Sequence, residues 1–173
     1  LILLSSSFYT VKEGQRGIVT QFNKLASVED PGLHMKIPFI QSVLMAEVRT
    51  LQANATALAS TIDTQNVSTG VSLNYHLDPS KVGLIYSQTG LDVEKKIIVP
   101  RIQEVVKAVI ARYSAEQLLS KRDIVKTEIN VQLTKMLSTY NIILEDVQIT
   151  QFNFSEIYYD SIEKKQIAEQ AAL

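Results

Sequence analysis

The chain contains no cysteine. Disulfides, thiolate metal sites, cysteine nucleophiles and iron–sulfur clusters are therefore excluded together. The compartment stays open, because a disulfide-free chain is viable in oxidising and reducing surroundings alike. Histidine is nearly as scarce: His34 and His76 are the only two, so a His-based triad would have to use one of them. Charge of one sign is also lacking. With 17 basic and 18 acidic residues the formal net charge is -1, which gives no global pull toward nucleic acid or anionic lipid. No Gly-x-Ser-x-Gly elbow, Walker A loop, Gly-x-Gly-x-x-Gly turn or His-Glu-x-x-His helix occurs. Gly14-Gln15-Arg16-Gly17 precedes a strand rather than a helix. Without helix N–H groups it makes a poor phosphate cradle, and a hairpin or bulge explains it better. The opening Leu1-Ile2-Leu3-Leu4 is far short of the about 20 apolar residues that span a bilayer. It reads equally as the tail of a longer transmembrane helix or as the first strand of a soluble domain. The chain opens without Met and stops inside the helix-forming run from Lys164 to Leu173, so it is expected to be a piece of something longer.

What is present is a core. Of 173 residues, 46% are hydrophobic, enough for one ordinary domain or two small ones packed together. The first half reads as β. Gly17 to Phe22 is a β-branched run. Asp30-Pro31-Gly32 predicts a type II turn, with Pro31 presetting φ and Gly32 supplying a positive one. Leu33 to Val43 follows, with Pro38 arguing for an edge strand or a bend, and Leu44 to Leu51 is a further candidate strand. Val67 to Leu77 alternates apolar and polar residues without a break, the mark of a strand with one buried face.

The period then changes. Ile98, Ile102, Val105, Val106, Val109, Ile110 and Tyr113 have helical spacing. Pro100 lies inside that run, either in the first turn of the main helix or at a kink in a longer one. Ser114 to Gln117 and Ser120 to Asp123 both look like capped helix starts. The second is followed by Val125, Ile129, Leu133, Met136, Leu137 and Tyr140 on one face. Asn141 marks a stop. Ile142 to Phe154 reads as a strand whose alternation slips between Ile149 and Phe152, as at a bulge. A last helix starts near Ser155, with Ile157, Ser161, Ile162, Ala168 and Ala172 as packing positions. Strands first and helices later indicate an α+β fold rather than a doubly wound sheet.

Candidate chemistry is sparse. His34 sits between a turn and an apolar stretch, and His76 lies on the polar face of the best strand; a hydrogen-bonded surface role suits each. Glu29-Asp30 and Glu145-Asp146 are adjacent pairs, so on a strand their carboxylates point to opposite faces, the wrong arrangement for a shared acid/base site. A hydrolase using Glu145 or Asp146 is kept as a rival reading. Asp92-Val93-Glu94 suits a helix N-terminus. The tripeptides at Asn54, Asn66 and Asn153 match the N-glycosylation pattern, which is common by chance. Tyr158 and Tyr159 are either interface anchors or helix-to-sheet packing.

Ordered motifs carry a resemblance. Val11-Lys12-Glu13-Gly14-Gln15-Arg16-Gly17-Ile18-Val19 and Pro31-Gly32-Leu33-His34-Met35-Lys36-Ile37-Pro38-Phe39-Ile40-Gln41 look like the start of the SPFH (Band 7) domain shared by stomatins, prohibitins, flotillins and a bacterial protease-modulator pair. Asp63 to Val67, Glu94 to Pro100, Val105 to Tyr113, Ala115 to Leu119, Leu144 to Thr150 and Ile162 to Gln170 resemble prohibitins more narrowly. The resemblance implies this organisation: residues 1–8 ending an N-terminal transmembrane helix, 9–79 a mainly β first subdomain, 80–154 an α/β second subdomain, and 155–173 the start of a C-terminal coiled coil. It implies a single-pass protein of a bacterial or mitochondrial inner membrane that assembles with family members into rings or cages enclosing lipid, and that modulates a membrane-anchored AAA+ protease. No catalytic residue, cofactor or metal, and no nucleic-acid partner, is implied. Leu3, Leu4, Phe8, Phe39 and Ile40 become membrane-facing candidates, with core packing as the alternative for the last three. Tyr158, Tyr159 and Ile162 become candidates for the oligomer interface. The alternative within the same fold is a stomatin-like module that regulates channels or transporters.

Overall fold

A computed structural model describes residues 2–173, with side chains from Leu4 onward. The fold is α+β, built on three antiparallel sheets. After a short helix α1 (Ile2–Ser5), strand β1 (Phe8–Val11) pairs with β4 (Gly32–Met35) as a two-stranded ribbon. Strand β2 (Gln15–Gln21) lies between β3 (Lys24–Glu29) and β5 (Gln41–Glu47). The β2–β3 turn is Phe22-Asn23, with φ of 49° and 63°, the positive pair that a tight two-residue hairpin requires. Phe22, expected at the end of a strand, is therefore a turn residue.

Asp30-Pro31-Gly32 does not fold the chain back on itself. Gly32 does take a positive φ of 138°, but β3 before it and β4 after it belong to different sheets. The segment is a corner between sheets. The ribbon closes onto its neighbour through Val11, which is 2% exposed. A Cβ on Gly17 would come within 2.9 Å of Val11 Cγ2, so glycine at 17 permits the close approach.

The main sheet has the order β6 (Leu51–Ser60), β7 (Asn66–Leu77), β8 (Ile142–Ile149), and a two-residue β9 (Asn153–Phe154) also pairs with β7. It draws strands from both sides of the expected division at residues 79 and 80. β7 alternates buried and half-buried residues along its length, as its sequence predicts. The candidate strand Leu44 to Leu51 is instead divided between β5 and β6, with Val48 to Thr50 between them. The slip between Ile149 and Phe152 is a strand break: Thr150 N donates to Gly70 O and Gly70 N donates to Thr150 Oγ1. The bulge lies earlier, where Asn74 pairs with Asp146 but Tyr75 pairs with Leu144, leaving Glu145 as the extra residue.

Helix α2 (Val82–Gln88) follows β7 and packs on β3 through Gly83, where a Cβ would meet Val28 Cγ2 at 2.8 Å. A π-helical turn, Glu94–Ile98, then runs into α3 (Val99–Ile110). Pro100 lies in the first turn of α3. Its ring cannot donate to the carbonyl four residues back, and the chain widens there, Val99 N bonding Glu94 O, in place of a sharp kink. Ser114 caps α4 (Ala115–Ser120) with a reciprocal Ser114–Gln117 capping box. Ser120 makes no such cap. It is the last residue of α4, and Lys121 opens α5 (Arg122–Ser138) without a side-chain cap. Asn141 takes a φ of 61°, ending the helical segment as expected.

The core lies between the main sheet and two helices. α3 packs on β6 and on α5, and α5 packs on β8. Ile102, Val106, Ile110, Ile129, Leu133 and Leu137 are fully buried there. The loop joining β6 to β7 is tied to this layer by Asp63, which accepts hydrogen bonds from Thr61 Oγ1 and, at 3.1 Å, from Ala115 N. The Thr61 hydroxyl, aided by the Ala115 N–H, holds the Asp63 carboxyl below the usual aspartate range. A depressed folded-state pKa adds stability above the unfolded value of about 3.9, and that contribution is lost as pH falls through the lower folded value. Acid unfolding monitored by circular dichroism is therefore expected to show a shallower loss of stability over that window in Asp63→Asn than in the parent, with the variant already weaker at neutral pH.

Candidate functional site: an exposed apolar end

The β1–β4 ribbon has two unlike faces. Directly paired residues point the same way, so Phe8↔Met35 and Thr10↔Leu33 share one face, and Tyr9↔His34 and Val11↔Gly32 share the other. The second face is the inner one. Tyr9 stacks on His34 with ring centroids 5.6 Å apart, and Val11 is buried. His34 Nε2 lies 2.6 Å from Asp30 O and Nδ1 lies 3.5 Å from Glu29 Oε2, so the imidazole ties β4 back across the Pro31 corner. Burial, with the Glu29 carboxylate beside it, raises the Tyr9 pKa.

The outer face is open and, apart from Thr10, apolar. Leu33 and Met35 are each 70% exposed, and Phe8 is half exposed. The loop after β4 continues it. Lys36 N donates to Ser7 O, and Ile37 N donates to Gln41 Oε1, so the loop is held to the ribbon. Phe39 stands 94% exposed at a φ of 66°, and Ile40 beside it is also exposed. Phe22 N donates to Ile40 O, which places the exposed Phe22 of the neighbouring hairpin at the same end. Scattered surface hydrophobes need no explanation, but a contiguous apolar group marks a contact with another apolar phase.

Of the membrane-facing candidates, Phe8, Phe39 and Ile40 are therefore all exposed, on the ribbon and on the loop held to it, and Leu4, exposed on α1, adjoins the ribbon in sequence. The Leu3 side chain lies outside the described residues. Leu33, Met35, Ile37 and Phe22 complete the surface, and no motif in the sequence marks them. The alternation of Leu33, Met35 and Ile37 with His34 and Lys36 was the signal available.

The interface candidates sit at the opposite end of the chain. Ser155 caps α6 (Glu156–Ala171) by accepting from Tyr158 N. Tyr158 lies against Phe154, ring centroids 4.6 Å apart, at the margin of the core. Burial raises its pKa, as do the Asp63 and Glu116 carboxylates. Tyr159 is half exposed, its hydroxyl accepting from Phe154 N at 3.4 Å. Ile162 is half-buried, and no residue of α6 is fully buried.

The carboxylates form no dyad. Glu145 accepts from Thr50 Oγ1 and contacts His76 Nδ1, each at 2.8 Å. This links β8, β7 and the β5–β6 connection, a structural use for both His76 and Glu145. Asp146 is exposed. Among the described residues no group of three or more His, Asp or Glu side chains could hold a metal ion.

The model of the SPFH domain / Band 7 family matches residues 9–173. The chain belongs to the SPFH/Band 7 family. This SPFH domain is similar to prohibitin 1 of Mus musculus, with 28% identity over 174 residues covering 98% of the chain and 63% of that protein. Prohibitin-1 of Schizosaccharomyces pombe is 31% identical over 98% of the chain and 61% of its own length. The mitochondrial prohibitin complex protein 1 of Caenorhabditis elegans is 27% identical, at 98% and 62% coverage. The SPFH domain thus spans somewhat under two thirds of these relatives. Among its described residues no helix is long and apolar enough to cross a membrane.

Proposed function

We propose that this chain is the membrane-proximal part of a prohibitin-type scaffold. In this reading its apolar ribbon end rests on a lipid bilayer, an N-terminal segment anchors it in a single pass, and the helix beginning at Ser155 continues into a coiled coil. Copies assemble with each other or with related subunits into a ring or cage that organises a membrane patch and modulates a membrane-bound AAA+ protease. The domain does no chemistry itself. The exposed outer face of the β1–β4 ribbon carries the reading, because burial of that face in lipid removes an apolar surface that the domain leaves in water. The names of two relatives, a mitochondrial prohibitin complex protein and a mitochondrial prohibitin-7 from Arabidopsis thaliana, support a mitochondrial-type membrane and assembly with related subunits.

A ring needs a head-to-tail contact between unlike faces, and Tyr159 and Ile162 near the start of α6 are offered as part of one. The test is electron microscopy of the full-length protein extracted in detergent, with its partners identified by mass spectrometry. Rings or cages with a co-purifying AAA+ protease are expected. Small monomers would sink the scaffold reading, and channels or transporters in place of the protease would shift it to stomatin-like regulation.

A further inference from the structure

Strand β6 is an edge strand that no charge, proline or bulge blunts, although α3 covers one of its faces. It pairs with β7 along its full length, Leu51↔Tyr75 to Ser60↔Asn66, with no register shift, and among the described residues no strand pairs with its other side. Its ten residues, Leu51 to Ser60, include no charged residue, proline or glycine. Natural edges of this length are blunted by charge, proline, a bulge or a cover. The opposite edge of the same sheet has such devices: β8 carries the exposed Glu145 and Asp146, and Glu145 forms a bulge.

Two contacts show which backbone groups β6 leaves open. Gly70, paired with Thr56, uses both its N–H and its C=O on Thr150, away from β6. Thr56 O in turn receives the Gln103 side-chain amide. Thr56↔Gly70 is thus a pair without mutual hydrogen bonds, and by alternation the backbone of Gln52, Asn54, Thr56, Leu58 and Ser60 faces outward. Among the described residues, the Gln103 amide is the one hydrogen bond made to that row.

We infer that β6 accepts a single extended polypeptide segment by strand addition, with a carboxylate of that segment set against Lys107. Backbone pairing supplies the affinity in such complexes. The segment's side chains meet an open groove of about 740 Å³ at the far end of the strand, lined by Leu58, Ser60, Lys107, Ala111 and Phe154 among others. Leu58 is largely exposed and offers an apolar contact. Lys107 makes no ion pair among the described residues and is the one charged side chain lining the groove.

A second copy paired through its own β6 fits less well. α3 lies over β6, drawn close by the buried Ala53 and Ala57, and a copy would bring its own α3 along. Paired strands are about 4.8 Å apart, whereas packed helix axes need about 8–10 Å. The edge has room for a bare strand but not for a second helix layer. The inference stands apart from the scaffold reading, and either can fail alone.

The test uses the isotopically labelled chain and a capped synthetic peptide of alternating threonine and valine ending in glutamate. Amide exchange of Asn54, Thr56 and Leu58 is expected to slow on the order of tenfold with about 1 mM peptide. A fully N-methylated version of the peptide, unable to donate, is expected to give no protection. Lys107→Glu is expected to weaken binding of the glutamate-ended peptide several-fold and to leave a glutamine-ended one unchanged. Unaltered exchange at these amides, equal protection by the methylated peptide, or protection that maps to β8 would overturn the inference. So would protection that rises with protein concentration in the absence of peptide, which would mean a second copy is the occupant.

Discussion

Replacing Ile129 with alanine is expected to lower the unfolding free energy by about 3–4 kcal/mol, toward the upper part of the range for large-to-small core changes. Ile129 is at the middle of α5, wholly buried, in the layer where α5 meets both α3 and β8. Two packed elements hold that space from different sides, so it cannot collapse when three carbons are removed. The loss is the transfer energy of those carbons plus the cavity they leave. Alanine's better helix propensity returns only a few tenths of a kcal/mol. A domain of this size has about 5–15 kcal/mol in total, so the urea midpoint should fall by a large fraction while the slope stays constant. Val131→Ala, two residues along the same helix at an exposed position, is the matched control and should change stability by no more than about 0.5 kcal/mol. If the two variants behave alike, α5 does not pack as described.

The elements that sequence revealed are those whose burial is one-sided. β7 was readable because alternate residues meet the core and the surface, and α5 because Val125, Ile129, Leu133 and Leu137 recur on one face. β6 was not. Its inward residues are alanines at 53, 55, 57 and 59, chosen by the closeness of α3 rather than by strand preference, and alanine carries little β signal. α2 is only seven residues long, and its key contact is a glycine, which has no pattern to read. The corner at Pro31 shows a different limit. Local turn chemistry gave the positive φ of Gly32, but whether the next strand rejoins the same sheet is decided by distant pairing with β1. The candidate site divides in the same way. Phe8, Phe39 and Ile40 could be named because the family resemblance implies a membrane-facing side, while Leu33 and Met35 could not be assigned to the outer face until the Phe8↔Met35 register was known. A one-residue slip would have turned them inward.

The double variant Leu33→Thr, Phe39→Asn is expected to reduce binding to neutral phosphatidylcholine vesicles on the order of a hundredfold, with the fold intact. Each lost side chain removes about 1.5–3 kcal/mol of apolar transfer, and partial immersion keeps the combined effect nearer 3 kcal/mol than 6. The fold should not suffer, because both side chains stand in water: Leu33 is 70% and Phe39 94% exposed. Threonine suits the strand position at 33. Asparagine tolerates the left-handed φ of 66° at 39 better than phenylalanine does, so the melting temperature should hold or rise slightly. A net charge of -1 gives electrostatics little part, and binding of the parent should survive raised salt. Vesicle co-sedimentation alongside thermal unfolding separates the outcomes. A variant that binds as the parent does, or parent binding that salt abolishes, would mean that the ribbon's apolar face is not what meets the bilayer.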